Sequence, residues 1–183
     1  MHDMTAANLR SAFGGESQAH MRYIIWAEKA EKEGYRNVAR LFSAVSRAEQ
    51  AHATGHFKAM GDVPGAFDVL SGAGFGLGTT SENLAGAIEG ELFEINEMYP
   101  AYLAVAQAQS EEKAIRSMNY AIAAEKIHAA MYQKAKEAVD SGNDMNLGPV
   151  RICTVCGHTV EGDLPEDKCP ICKASVDRYV SFE

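Results

Sequence analysis

AEQAHA at residues 48–53 and AEKIHA at residues 124–129 are two copies of one pattern, Glu-x-x-His, and they decide the fold. In a helix, residues three apart share a face, so each copy aims a carboxylate and an imidazole at one point. Carboxylate oxygen and imidazole nitrogen are common metal ligands. A single copy usually belongs to a solvated helix face, whereas two copies in one chain predict a shared metal site.

Each copy has a partner glutamate in an earlier helical stretch. Glu16 lies 33 residues before Glu49, and Glu91 lies 34 residues before Glu125. The chain therefore repeats one ligand-bearing helix pair. One glutamate from each of two helices, together with Glu-x-x-His from each of the other two, is the ligand set of di-iron carboxylate four-helix bundles. The repeat predicts an all-α four-helix bundle that holds two iron ions.

The composition narrows the class of partner. The chain has 183 residues and a formal net charge of -8, and its basic residues form no cluster. Nucleic acid and anionic membranes are therefore poor partners. The polar start does not resemble a signal peptide and no apolar run could span a bilayer, so we expect a cytoplasmic protein. All four cysteines fall in the last 31 residues, and disulfides are rare in the cytoplasm.

Apolar spacing and helix-breaking residues predict four helices. We expect them at about Thr5–Glu33, Tyr35–Met60, Ser81–Gln109 and Ser110–Val139. Pro100 lies inside the third helix, where it removes a backbone hydrogen bond, and we expect a kink there.

A glycine-rich segment at residues 61–80 separates the second and third helices and contains six glycines. Its length fits a crossover connection along a bundle. The run GAGFG lacks the βαβ context and the lysine of a phosphate loop, so nucleotide binding is rejected. We predict a bundle over residues 1–140, a linker over 141–149 and a small domain over 150–183.

The cysteines form two Cys-x-x-Cys pairs, Cys153 with Cys156 and Cys169 with Cys172, separated by twelve residues. Paired knuckles of this kind close a tetrahedral four-thiolate site, and the metal replaces the core that so small a segment cannot build. Both zinc and iron accept four thiolates, so the spacing leaves the metal open.

Three polar residues near these motifs are expected to take no part in metal binding. His20 is expected at the surface. His56 is expected to be exposed or hydrogen-bonded within the protein rather than to support a ligand. Glu97 follows Glu91 and Glu94 at spacings of three, and the accumulated rotation turns it away from their face, so we expect it to be exposed.

These features make the chain similar to the rubrerythrin family, in which a ferritin-like di-iron domain is fused to a rubredoxin-like domain. The resemblance covers nearly the whole chain. It rests on the two Glu-x-x-His motifs, their partner glutamates, GELFE at 90–94, MYP at 98–100 and the four cysteines. The chain departs from the family in its glycine-richer crossover and in Lys173 and Ala174 after the last cysteine, where rubredoxins often have glycine.

The resemblance implies a peroxidase that reduces hydrogen peroxide to water and protects against oxidative stress. Electrons would pass from a reductase or a rubredoxin through one iron ion on the four cysteines, with zinc as the alternative metal there, to two iron ions in the bundle. Glu49 and Glu125 would bridge these two ions. The terminal ligands would be Glu16, His52, Glu91, Glu94 and His128. Two tyrosines, Tyr23 and Tyr99, match tyrosines near the family's site.

Glu94 is an additional ligand, beyond the two glutamates and two Glu-x-x-His motifs that hold the metal ions in ordinary di-iron bundles. Two ferrous ions balance fewer carboxylate charges than two ferric ions do, so replacing one carboxylate by a neutral imidazole would relieve the reduced site. We therefore expect Glu94 and His52 to exchange at the metal as its redox state changes.

Two other functions fit the same fold. An iron-storage protein or ferroxidase uses this bundle, but it needs a cage and has no evident use for a one-electron relay. A di-iron oxidase with a structural zinc tail is the second alternative. The resemblance also implies a head-to-tail homodimer or higher oligomer, in which one chain's four-cysteine domain serves the next bundle. The linker favours this, because folding back over its own helix would use most of its reach.

Overall fold

The computed structural model describes residues 1–61, 64–165 and 167–183. Within these residues, five α-helices and three strands are connected by loops and short helical turns. The helices are α1 (Asp3–Lys32), α2 (Arg36–Met60), α3 (Thr80–Phe93), α4 (Tyr99–Ala108) and α5 (Glu112–Asp140). The strands are β1 (Val150–Cys153), β2 (Thr159–Glu161) and β3 (Tyr179–Phe182). None of the described helices is long and apolar enough to cross a membrane.

The four-helix bundle predicted from the repeat is present, but its third helix is interrupted. Where one helix was expected over Ser81–Gln109, a π-helical turn at Glu94–Met98 separates α3 from α4. A kink was expected beside Met98 and Tyr99, and the π-helical turn ends there, next to Pro100. Pro100 follows in the first turn of α4, and the hydrogen bond that its missing N–H cannot make is a cause of irregularity at this point.

An aromatic layer beside the ligand-bearing segments holds α1, α2 and α5 together. The ring centroids of Tyr23, Phe42 and Tyr132 lie 5.2 to 5.8 Å apart. All three side chains are almost completely buried, and full burial of a large apolar side chain stabilises a fold by about 1.5–3 kcal/mol. The layer therefore fixes the spacing of the helices that carry the ligands.

The crossover runs along α1, as its length predicts. Ser11 Oγ donates to the carbonyl of Leu70 at 2.8 Å, and Trp26 Nε1 donates to that of Gly76 at 3.0 Å. A capping box opens α3, with the Thr79 side chain accepting from the backbone of Glu82 and the Glu82 side chain accepting from that of Thr79. Two residues of the predicted crossover, 62 and 63, lie outside the described residues.

The C-terminal strands form an antiparallel sheet in the order β2-β1-β3. Val150 and Ile152 of β1 are completely buried in the same core as the bundle residues. The segment at 141–149 also packs on α2, since Asp144 accepts hydrogen bonds from the backbone N–H groups of Asn37 at 2.8 Å and Val38 at 3.3 Å. The small domain thus docks on the bundle of its own chain.

This docking corrects the argument from linker reach. We expected folding back to use most of the linker's reach, but the linker returns directly along the start of α2, where Met145 and Leu147 are buried. The return path is short because the linker crosses from the end of α5 to the adjacent α2 rather than running down α5. The length of the linker therefore gives no reason to expect the small domain to dock on the bundle of another chain.

We expect Glu33→Gln to lower the free energy of unfolding by about 0.5–1 kcal/mol near neutral pH, the scale of one exposed ion pair and hydrogen bond. Hydrogen bonds from Lys29 and Thr80 lower the pKa of Glu33 to about 2. A depressed folded-state pKa means that this stabilisation is present above the ordinary pKa of 4.5 and disappears as the pH falls toward 2. Denaturant titrations at several pH values measure the difference, and Glu31→Gln is the exposed control.

Candidate metal centres

Two groups of buried side chains meet inside the bundle, each with four ligand atoms within 4.8 Å of one another. The first group is Glu16, Glu49, His52 and Glu125, and the second is Glu49, Glu91, Glu125 and His128. Glu49 and Glu125 belong to both groups. This is the donor set of two neighbouring cations that have two carboxylates in common.

Each histidine presents Nδ1 to the carboxylates. His52 Nδ1 lies 2.8 Å from Glu49 Oε2 and 2.7 Å from Glu125 Oε1. His128 Nδ1 lies 2.7 Å from Glu125 Oε2 and 3.5 Å from Glu49 Oε1. The two halves of the site therefore have matching geometry, as the repeated motif predicts.

The carboxylates fit a pair of cations because three of them keep one buried oxygen free of hydrogen bonds. Within the described residues these oxygens are Glu16 Oε2, Glu49 Oε1 and Glu91 Oε2. A buried carboxylate oxygen without a partner is costly, and metal ions would satisfy all three. The chain thus carries a carboxylate–histidine site suited to two iron ions.

The electrostatics of the site also favour cations. Burial and the charge of Glu49 raise the pKa of Glu125 well above its ordinary value. Burial disfavours the charged form of His52, but Glu125 and Glu16 outweigh it and raise the pKa of this imidazole. Protons on these groups would offset the crowded negative charge, and metal binding would release them.

Glu94 lies outside both four-ligand groups. It is the first residue of the π-helical turn and is half-buried. Burial and the nearby carboxylates of Glu16 and Glu125 raise its pKa well above the usual range. Single π turns are frequent at functional sites. The assignment of Glu94 as a ligand, and its exchange with His52, stay predictions.

Both predicted tyrosines contact glutamates of the two candidate ligand groups. Tyr23 Oη donates a hydrogen bond to Glu91 Oε1 at 2.8 Å, and Tyr99 Oη donates one to Glu16 Oε1. Burial raises the pKa of both phenols well above 10, so both keep their protons at neutral pH. The tyrosines therefore hold the outer carboxylates in place and carry protons next to them.

His56 extends the second of these contacts. It is completely buried, its Nε2 lies 2.8 Å from Tyr99 Oη, and its Nδ1 lies 3.0 Å from Ser117 Oγ. The expectation of a hydrogen-bonded histidine is confirmed, but its connection to a ligand through Tyr99 was missed. Its position four residues after His52 was the available signal.

His20 is not at the surface, so that expectation is wrong. Its Nδ1 lies 2.8 Å from the carbonyl oxygen of Ser46 and 2.9 Å from Ser46 Oγ. The ring is half-buried between α1 and α2, because these helices pack closely along this stretch. His20 therefore joins two helices and is not a ligand. Glu97 is exposed, as expected.

Tyr132 is a residue near the site that the sequence analysis did not identify. It is completely buried, and its hydroxyl has no hydrogen-bond partner among the described residues. Tyr132 lies seven residues after Glu125, as Tyr23 lies seven after Glu16. This shared spacing was the signal that could have found it.

The four cysteine sulfurs form the second site. Cys153 Sγ lies 3.7 Å from Cys172 Sγ, and Cys156 Sγ lies 3.5 Å from Cys169 Sγ. A tetrahedral site with metal–sulfur bonds of about 2.3 Å has sulfur–sulfur separations of roughly 3.8 Å. The sulfurs therefore fit one four-coordinate metal ion, and the C-terminal domain carries a four-cysteine rubredoxin-like site.

The two sites meet through the outer nitrogens of the histidines. His52 Nε2 lies 3.2 Å from the carbonyl oxygen of Cys156, and His128 Nε2 lies 2.8 Å from Thr159 Oγ1. A metal-bound histidine usually donates its second ring N–H to such an acceptor. Gly157 has a φ of 75°, and a side chain there would overlap the His52 ring. Neither Thr159 nor Gly157 could be assigned from the sequence.

The fold and the two sites define a two-domain iron protein, a di-iron bundle joined to a four-cysteine domain. The family model described as Rubrerythrin matches residues 7–136, and the model described as Rubrerythrin, rubredoxin-like domain, matches residues 152–180. The chain belongs to the rubrerythrin family.

Individual relatives agree with this placement. The chain is 47% identical to Rubrerythrin-2 of Clostridium acetobutylicum, over 98% of this chain and 97% of that protein. It is 31% identical to Nigerythrin of Nitratidesulfovibrio vulgaris, over 97% of this chain and 86% of the relative. A solved structure titled as the fully reduced, all-ferrous state of nigerythrin matches with a TM-score of 0.84 at 30% identity, covering 100% of this chain and 88% of that one.

Proposed function

We propose that this protein is a peroxidase that reduces hydrogen peroxide to water with electrons delivered through its four-cysteine domain. The observation that carries the proposal is the position of His52. Its ring faces Glu49 and Glu125 with one nitrogen and the backbone of Cys156 with the other, at 3.2 Å. A single side chain thus lies between the two metal sites.

Glu49 and Glu125 are proposed to bridge two iron ions, because both groups of ligand atoms include them. Glu16 and His52 complete one side, and Glu91 and His128 complete the other; Glu94 remains the predicted exchangeable ligand. When bound, the iron pair supplies both electrons for cleavage of the O–O bond and offsets the charge that develops on oxygen. Burial of these side chains keeps bulk water away from the reaction.

Reduction of one peroxide consumes two protons, and the chain offers a hydrogen-bonded route for them. Ser117 Oγ, His56 and Tyr99 Oη form a continuous line that ends at Glu16 Oε1. Ser117 is half-buried, whereas His56 and Tyr99 are fully buried. Tyr99 would give up its hydroxyl proton on the site side and regain one from His56.

The proposed electron route runs within one chain, from the four-cysteine site through the Cys156 carbonyl to His52. An external reductase or rubredoxin is the proposed donor. A homodimer or higher oligomer and the cytoplasmic location inferred from the sequence stay predictions, whereas the transfer between chains that we expected is replaced by the route within one chain. In-chain docking means that the route does not depend on the dimer.

We expect Tyr99→Phe to slow peroxide reduction by about 100-fold, since it removes the proton donor next to Glu16. Iron content should remain at the wild-type level, because every ligand of both groups is retained. Stopped-flow oxidation of the reduced variant by peroxide measures the rate. Tyr102→Phe is the control. Tyr102 lies on the same helix as Tyr99, and its hydroxyl donates a hydrogen bond to Ser11 Oγ at 3.0 Å. A wild-type rate in Tyr99→Phe would contradict the proposed route.

The function is tested by steady-state turnover with NADH and a rubredoxin reductase as the donor, under anaerobic conditions when hydrogen peroxide is the substrate. We expect rapid consumption of hydrogen peroxide and slower consumption of oxygen when oxygen replaces it. Faster turnover of oxygen would favour the oxidase alternative, and so would zinc in the isolated four-cysteine site. A cage-sized particle that accumulates iron would favour storage.

A further inference from the structure

A cavity of about 550 Å³ lies between α1, α3 and the glycine-rich crossover, and neither metal site accounts for it. Its wall includes Glu94, the half-buried residue beside the di-iron site. Gly15 and Gly90, which immediately precede Glu16 and Glu91, also line it. The cavity therefore reaches the edge of the di-iron site, and it is lined by none of the residues of the proton route.

The crossover forms the roof of this cavity and is held there by side chains of α1. Gln18 Nε2 and Arg22 Nη1 donate to the carbonyl of Gly74 at 2.6 and 3.2 Å, and Trp26 Nε1 donates to that of Gly76 at 3.0 Å. A Cβ at Gly74 would lie 3.0 Å from Arg22 Nη1. The glycines of the crossover thus allow the backbone to approach these side chains closely. Specific hydrogen bonds from α1 hold the roof in place.

The size and lining of the cavity do not match hydrogen peroxide alone. Two oxygen atoms need roughly 60 Å³, about twice the space of one water, whereas cavities of this size hold organic molecules. Apolar side chains in the lining include Trp26, Phe93 and Met98. At the rim, Phe75 is 92% exposed, so a large aromatic ring is available to an entering organic group.

We propose that the cavity binds organic hydroperoxides, with the organic group against Trp26 and Phe75 and the peroxy group toward Glu94. The inference rests on the proposed function and names a second substrate class for the same site. In the balanced step, ROOH takes up two electrons and two protons, the O–O bond breaks, and ROH and one water leave. The electrons arrive by the relay through the four-cysteine domain, and the protons by the route through Tyr99.

The test uses cumene hydroperoxide as substrate and its alcohol product as a stable probe of binding. Trp26 is the sole tryptophan of the sequence, so its fluorescence reports on the cavity. We expect a saturable fluorescence change when the oxidised full-length protein is titrated with the alcohol. Phe75→Ser should weaken this binding and lower kcat/KM for cumene hydroperoxide by about tenfold each, because an apolar contact is lost. Its kcat/KM for hydrogen peroxide should not change.

Leu70→Ser is the matched control. Leu70 is 93% exposed and belongs to the same crossover, but it does not line the cavity. Equal effects of the two substitutions, or no fluorescence change in the wild type, would overturn the proposal. Binding of the alcohol without turnover of the hydroperoxide would also overturn it. Failure to reduce hydrogen peroxide would instead refute the peroxidase function, so the two failures are distinguishable.

Discussion

Glu125→Ala is expected to lose both iron ions of the bundle. Glu125 contributes to both groups of ligand atoms, so its removal leaves three ligands on each side. The fold should persist without metal, because burial and neighbouring carboxylates already raise the pKa of Glu125, and removing it relieves negative charge. Iron analysis with circular dichroism measures the result. We expect about two fewer iron ions per chain at unchanged helix content.

Glu94→Ala is the control for this prediction. Glu94 belongs to neither four-ligand group, so this variant should keep its iron while its redox cycling changes. Wild-type iron content in Glu125→Ala would contradict the bridging role. An empty site in Glu94→Ala would make Glu94 a structural ligand and remove the basis for its exchange with His52.

Gly157→Ala is expected to slow electron transfer from the four-cysteine site to the bundle by at least about tenfold, the scale set by misplacing a reacting group by an ångström or less. An added Cβ would overlap the His52 ring, so the small domain must shift away from the histidine. Both metal sites keep all their ligands. Oxidation of the ferrous four-cysteine iron after a peroxide pulse, followed by visible absorption, measures the rate.

Gly162→Ala separates this contact from backbone strain. Gly162 has a φ of 86° in the same domain, close to the 75° of Gly157, but a Cβ there meets no atom within 4 Å among the described residues. A non-glycine residue at such a φ costs about 1–2 kcal/mol in either position. Equal rates in the two variants would contradict the His52 route. Activity recovered by mixing Cys153→Ala chains with Glu125→Ala chains would show transfer between chains.

The carboxylates and histidines that meet in the bundle could be predicted from the sequence because helical spacing is local, whereas Glu94, predicted with them, lies outside both groups. Residues three apart share a face wherever a helix forms, so the two Glu-x-x-His motifs and the two cysteine pairs each specify their own geometry. The partner glutamates Glu16 and Glu91 followed from the repeat. Their burial next to the motifs is observed in the structure.

The remaining features depend on contacts between distant segments. Docking of the small domain follows from burial of Val150 and Ile152 against α2, which no local pattern indicates. Pro100 indicated an irregularity beside Met98 and Tyr99, but not that it takes the form of a π-helical turn beginning at Glu94. The roof over the cavity requires Gln18, Arg22 and Trp26 to meet carbonyls fifty or more residues away. The glycine content marked the crossover as unusual. It did not indicate that the crossover and Glu94 line the same cavity.

The central claim is that peroxide oxidises the buried iron pair and that the four-cysteine iron then supplies electrons to it. The most direct measurement is an anaerobic titration of the fully reduced protein with hydrogen peroxide, with iron counting and stopped-flow visible absorption. We predict that about one equivalent per chain oxidises the pair. The absorption of the ferric four-thiolate centre should then rise at a rate that Gly157→Ala lowers. Slow oxidation by peroxide, or a four-cysteine centre that stays reduced while the pair is oxidised, would contradict the account.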